Sequence, residues 1–227
     1  MACWSLCRRK EKWTLTWQGW LLLLAIIGAS LLLIGRQIYP FLATNSPTYG
    51  EILIVEGWLP DYAVRQAITL LNQHDYQLIV TTGFPLRKGS FLSEFSTQAE
   101  VTAATLRELG VKQVEIVSIP APPARTDRTF ASALAVKSWL SQSNMAISSL
   151  DVVSLGPHAR RTQLLFQIAI GEKTSVGVIA APSEDYGADD WWTCSSGVRV
   201  VISEALAYLY ARFVFIPRDQ EKRQPSP

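Results

Sequence analysis

Cysteine is scarce in this chain, with three in 227 residues. Cys3 and Cys7 precede a long apolar stretch and Cys194 alone follows it, so no disulfide can form within the main body of the protein. Neither Cys3 nor Cys7 follows an apolar signal core, which removes a bacterial lipoprotein reading. Cys194 is expected to be a passive buried thiol rather than a nucleophile. Histidine is scarcer still, with His74 and His158 as its two representatives. Asp185, Asp189 and Asp190 lack metal-ligand spacing around either histidine, so their loop reads as a solvated acidic segment. Excess charge of one sign is also missing. The formal net charge is +2, and most of that sits at the two ends, leaving the body slightly acidic. A nucleic-acid binder would be far more basic, and that class is set aside. The chain has no G-x-G-x-x-G, no G-x-x-x-x-G-K-[ST] and no G-x-S-x-G, and no internal repeats or low-complexity tracts.

What the chain does have is an uncharged apolar run. Residues 13–35 carry no charge, and about 20 apolar residues suffice to cross a bilayer. A cleaved signal peptide competes with this reading, but its apolar core is shorter and no small-x-small cleavage site follows here. Arg8, Arg9, Lys10 and Lys12 precede the run and only Arg36 closely follows it. The bias predicts a cytoplasmic N-terminus and an extracytoplasmic body, single-pass in the plasma (inner) membrane. The expected organisation is a basic segment (1–12), a transmembrane anchor (13–38), a linker (39–49), one α/β domain (50–216) and a polar tail (217–227).

Within the domain, short apolar runs alternate with helical spacing. Strands are expected at 51–56, 76–82, 114–119, 150–155 and 175–180. Helices are expected at 62–72, 97–109, 129–140, 157–170 and 198–213, the last with an apolar face through Val198, Val201, Ile202, Ala205, Leu206, Leu209 and Phe213. This alternation predicts a mainly parallel sheet of about five strands with helices on both sides. Ligands bind such sheets beyond the carboxyl ends of the strands. The segments there are Glu56-Gly57-Trp58, Thr82-Gly83-Phe84, Arg125 to Thr129, Gly156 to Arg161, and Asp185 to Trp192.

The stretch from Val152 to Arg161 organises the expected site. A β-branched run ends at Gly156, and Pro157 opens a helix, where its missing N–H costs nothing. His158, Arg160 and Arg161 then fall in the first helical turn, a natural anion site whose dipole favours a neutral imidazole. His158 is the candidate acid–base group or hydrogen-bond donor to a phosphate. Arg161 is the candidate two-pronged anion clamp, and Arg160 points either into the site or into solvent. Arg125 and Arg128 complete the anion site, while Asp127 is read as a helix cap. Glu56 ends a buried strand and must be a general base, a metal ligand or the partner of an arginine. Gly57 and Gly83 permit either close approach of a ligand or a plain turn. Trp58 lies beside them on the ligand side. Trp191 and Trp192 cover the pocket, touch lipid head groups or pack on the last helix. His74, at the opposite end of the sheet, is expected to be structural.

Three local motifs resemble the YdcF/SanA/ElyC-like family of bacterial envelope proteins, over roughly residues 52–215. They are Thr97-Gln98-Ala99-Glu100 ahead of Gly110-Val111, the stretch Asp127-Arg128-Thr129-Phe130-Ala131-Ser132, and His158 with Arg161 at a helix start. Gln98 stands where the family usually has Glu, and Ala131-Ser132 where it has Glu-Asn; Glu56-Gly57-Trp58 replaces a Gly-rich turn. The resemblance implies a Rossmann-like three-layer sandwich and a role in the cell envelope, and it names no cofactor. The expected function is binding, with processing left open, of a phosphorylated or anionic envelope metabolite, including a lipid-linked one. Thr129 and Glu56 would orient that ligand. The alternative is a non-catalytic module or scaffold that binds a nucleotide-like ligand.

Overall fold

The structure is a computed structural model that describes residues 15–143, 145 and 147–217. The basic segment expected over 1–12 and the tail from residue 218 onward lie outside these. Two units are distinguished, one ending at Gln37 and one beginning at Ile38.

The first unit is most of a single helix, α1 (Trp17–Leu42), with 26 residues. At 1.5 Å per residue it is roughly 39 Å long, against about 30 Å of bilayer hydrocarbon. Its apolar core is wholly exposed, so it is long and apolar enough to cross a membrane. The helix does not stop where the sequence reading ended it. It continues through Pro40, because Tyr39 and Leu42 are buried with Tyr186, Trp191 and Val201.

The second unit is an α/β sandwich. Its strands are β1 (Ile52–Glu56), β2 (Leu78–Gly83), β3 (Glu115–Pro120), β4 (Ser149–Leu155) and β5 (Ser175–Ala181). All pair in parallel, in the order β3-β2-β1-β4-β5. β1 and β2 are buried along their whole length, as continuous Ile/Val/Leu runs require when helices cover both faces. The helices are α2 (Asp61–Gln73), α3 (Gln98–Glu108), α4 (Arg128–Gln142), α5 (Ala159–Ile170) and α6 (Ser195–Phe213). α2 and α3 pack on one face around Leu53, Val55 and Ile79. α4 and α5 pack on the other around Ile54, Val80 and Val152. The strand order reverses between β1 and β4, which places a crevice beyond Glu56 and Leu155.

The segment read as a linker, 39–49, belongs to this unit. Ser46 pairs antiparallel with Val178 and so covers the open edge of β5. The carboxylate of Asp151, fully buried in β4, accepts from the Thr48 N–H (2.7 Å) and hydroxyl (2.9 Å), the Tyr49 N–H (2.8 Å) and the Tyr76 hydroxyl (2.7 Å). Burial and this bond to Asp151 push the Tyr76 phenol well above its ordinary value. At the same end of the sheet His74 stacks on Tyr49, 3.8 Å between ring centroids, in the structural position expected of it.

The last helix forms where the spacing places it, and its apolar face is mostly bare. Val201 is buried, whereas Val198, Ile202, Leu206, Leu209 and Phe213 are exposed. Helical spacing identifies a stripe but not what covers it, and α6 turns its small residues, Gly197 and Ala211, inward instead.

Candidate functional site

Beyond the carboxyl ends of the strands lies a cavity of about 660 Å³. Eight of the nine sequence-predicted site residues line it: Glu56, Trp58, Gly83, Arg125, Arg128, Thr129, His158 and Arg161. Gly57 does not. Its N–H donates to the Thr82 carbonyl (2.6 Å), and a Cβ there would come within 2.8 Å of the Gln98 backbone. At Gly83 a Cβ would come 2.8 Å from the Gln98 Cβ. The close approach these glycines allow is therefore that of α3 to the strand ends. α3 itself opens on a capping box in which Thr97 accepts from the Glu100 N–H (3.2 Å) and Glu100 accepts from the Thr97 N–H (2.9 Å).

The helix start after β4 is tighter than expected. Gly156, Pro157 and His158 form a single 3₁₀ turn, and α5 begins at Ala159. The turn aims His158 across the cavity, and α6 supplies the group it meets. His158 Nδ1 lies 2.9 Å from Glu204 Oε1. Arg161 grips the same carboxylate with two prongs, Nε to Oε2 at 2.8 Å and Nη2 to Oε1 at 3.1 Å. Burial pushes the Glu204 carboxyl up, but the bonds from His158 and Arg161 overcome this and hold it at about 2. A hydrogen bond to this ionised acceptor requires the proton on Nδ1, which leaves the lone pair of the neutral ring on Nε2; Arg161 Nη2 lies 3.0 Å from Nδ1 and, as a donor only, makes no bond to it in that tautomer. Trp58 packs edge-on against the ring at 4.9 Å. Nε2 is 3.9 Å from Glu56 Oε1.

Among the described residues Glu56 pairs with no arginine. Its Oε2 accepts from the Ser154 hydroxyl at 2.5 Å and from the Thr162 hydroxyl at 3.4 Å, which satisfies a carboxylate only 3 % exposed. The helix-start arginines divide. Arg160 turns away from the cavity, donates to the Phe41 carbonyl and stacks 4.0 Å over the Phe41 ring. Arg161 points in but is already occupied by Glu204, and it reaches Thr129 Oγ1 at 3.5 Å. An open cation stands at the first position of α4. Arg128 lies 4.9 Å over the Phe84 ring, and its buried Nε has no hydrogen-bond partner among the described residues. Burial, then the nearness of Arg87, lowers its affinity for its proton. Thr82 Oγ1, on another lining residue, is buried and equally unpartnered. Asp127 occupies the N-cap position of α4 without making the expected side-chain cap; its backbone is left-handed, with φ 52°. A non-glycine residue held there is strained, and such positions cluster at ligand clamps.

Glu204 escaped sequence reasoning, although a signal existed. It is the one carboxylate in α6, on a helix otherwise read for its apolar face. Trp191 is buried against Tyr39, Leu42 and Val201, which is the packing alternative, whereas Trp192 is exposed. Cys194 is half-buried, and its sulfur accepts from the Gly197 N–H at 3.4 Å as the cap of α6.

The cavity wall is two-sided. Three arginines face three carboxylates toward the strand ends, while Val200, Ala207, Tyr210, Ala211 and Phe215 form an apolar wall along α6. Compared with protein-family models and with curated proteins, the chain matches none.

Proposed function

We propose that this chain is a membrane-anchored, extracytoplasmic protein of the YdcF/SanA/ElyC-like family that binds a phosphorylated or otherwise anionic envelope metabolite and moves a proton on it. The observation that carries the reading is the unpartnered, buried Arg128 Nε on a cavity that also holds an unpartnered Thr82 hydroxyl. A buried guanidinium N–H without an acceptor is costly, and an anion relieves that cost. The anion therefore sits at Arg128, with Arg125 beside it, and Arg161 serves to hold Glu204 and His158. His158, oriented through Nδ1 by Glu204, presents Nε2 as general base or, when protonated, as acid. The apolar wall from Tyr210 and Phe215 suits a ligand with a hydrophobic portion, such as a lipid-linked phosphate.

The alternative is a binding module without turnover. It draws on one observation: among the described residues no hydroxyl or thiol hydrogen-bonds His158, so a nucleophile must arrive with the ligand.

Full-length protein in detergent is screened by thermal shift against inorganic phosphate, nucleotides, sugar phosphates and short-chain polyprenyl phosphates. A ligand at 100 times its Kd adds about 2.7 kcal/mol, several degrees for a domain of this size. Arg128→Ala is expected to weaken binding by roughly 10- to 100-fold, the loss of one or two charge-assisted hydrogen bonds. His158→Ala is expected to keep the shift and lose turnover. Loss of neither shift nor turnover in Arg128→Ala, or no shift from any anion, would overturn the reading. A shift that is kept while no product forms selects the binding module.

A further inference from the structure

The exposed stripe on α6 has a regular geometry. At about 100° per residue, Val198, Ile202, Leu206, Leu209 and Phe213 fall within roughly 80° of arc. Leu206 is 64 % exposed and Phe213 76 %, so the stripe is bare rather than grazed by neighbours. On the same count Val200, Glu204, Ala207 and Ala211, which wall the cavity, fall within about 60° on the opposite side. The helix therefore has one face for the site and one for something outside the domain.

The charges say what that something is. Arg199 and Arg212 flank the stripe on its two sides, both exposed, and the one carboxylate of the helix, Glu204, is turned to the cavity and spent on Arg161. An apolar stripe edged by arginines, with no outward anion, is complementary to an anionic bilayer surface. Chain connectivity brings such a surface within reach. Phe41 meets Tyr208 of α6 edge-on at 5.4 Å, and Leu42 is buried with Val201. Arg36, the first charge after the uncharged run, comes five residues before Phe41 in the chain.

We propose that α6 docks on the bilayer, its Val198–Phe213 stripe set into the interface and its opposite face closing the cavity. The proposal rests on the reading that α1 spans the membrane. Docking fixes the helix that carries Glu204, and with it the partner of His158 and Arg161, at the membrane surface.

The test uses the full chain with Cys3, Cys7 and Cys194 changed to Ser. Single cysteines at Leu206, Leu209, Leu24 or Thr69 carry a polarity-sensitive fluorophore. The protein is placed in nanodiscs of equimolar phosphatidylcholine and phosphatidylglycerol, with nitroxide lipids labelled near the headgroup or deep in the acyl chain. Labels at Leu206 and Leu209 are expected to shift to the blue and to lose most of their emission to the shallow nitroxide. The label at Leu24 should be quenched by the deep one, and the label at Thr69, on the opposite face of the sheet, by neither. Arg199→Glu with Arg212→Glu should restore emission at Leu206 and leave Leu24 unchanged. Quenching at Leu24 without quenching at the stripe overturns the docking and leaves the anchor standing. Escape at Leu24 overturns the anchor and the docking with it. Concentration-dependent cross-linking of two chains through Leu206 assigns the stripe to a second copy and also overturns the proposal.

Discussion

Asp151→Ala is expected to destabilise the protein by about 4 kcal/mol, which lowers the thermal midpoint by roughly 10 °C. The carboxylate collects four hydrogen bonds from Thr48, Tyr49 and Tyr76 at a site with no exposure. Its removal leaves two N–H groups and two hydroxyls without an acceptor, and each buried unsatisfied group costs about 1–3 kcal/mol, less where water can enter. Gly177 leaves no slack, because a Cβ there would collide with Asp151 Oδ1 and the Thr48 backbone. Asp151→Asn keeps an acceptor but adds a donor with no partner, and should fall between. The damage should also be local. Amide hydrogen exchange at Thr48 and Tyr49 should accelerate more than at β1, because these residues tie the chain after α1 to the sheet. A loss under 1 kcal/mol in denaturant unfolding of the full chain would mean that this fastening is not structural.

The sheet was legible because its strands are buried on both faces, and a buried parallel strand announces itself as an uninterrupted apolar run. Ile52–Val55 and Ile79–Val80 are such runs, and both are buried along their length. Gly156-Pro157 likewise gave the turn that aims His158, since proline fixes the first helical residue. What pairs with what was not legible. Asp151 sat unnoticed inside an apolar run, although a lone carboxylate in a central strand demands buried donors, and here they come from residues about 100 positions earlier. Glu204 was hidden in the same way, 43 residues from Arg161, so that a residue expected to clamp a ligand instead clamps the protein. The apolar face of α6 is legible as a stripe, but what covers it is not. Hydrophobic periodicity is the same for a helix that faces a sheet and for one that faces away from it.

Glu204→Leu is expected to cost about 3 kcal/mol at neutral pH, because Arg161 and His158 are left facing an apolar surface; removing one partner of a buried pair strands the other. The wild-type contribution has a defined pH window. The folded carboxyl titrates at about 2 against an ordinary value of 4.5. A depressed folded pKa stabilises the protein fully above the unfolded value, and that stability drains away as pH falls from about 4.5 toward 2. The gap in unfolding free energy between wild type and Glu204→Leu should therefore shrink steadily as pH falls below 4.5. Glu51, which burial raises but hydrogen bonds from Ser148 and Ser149 together hold at about 2, loses its contribution over the same range. Because it does so in both proteins, the difference between them isolates Glu204. Arg161→Leu combined with Glu204→Leu should recover part of the loss, since the stranded guanidinium is gone; a double variant no better than the sum of the singles would show that the two residues act independently. The functional consequence separates from the structural one in Glu204→Gln. The amide can still accept from Nδ1–H, so the ring stays in place, but it no longer stabilises a positive imidazole. A variant that folds, binds phosphate at Arg128 and yet loses turnover would assign Glu204 to proton transfer through His158. A variant that keeps turnover would confine Glu204 to the architecture of the cavity wall.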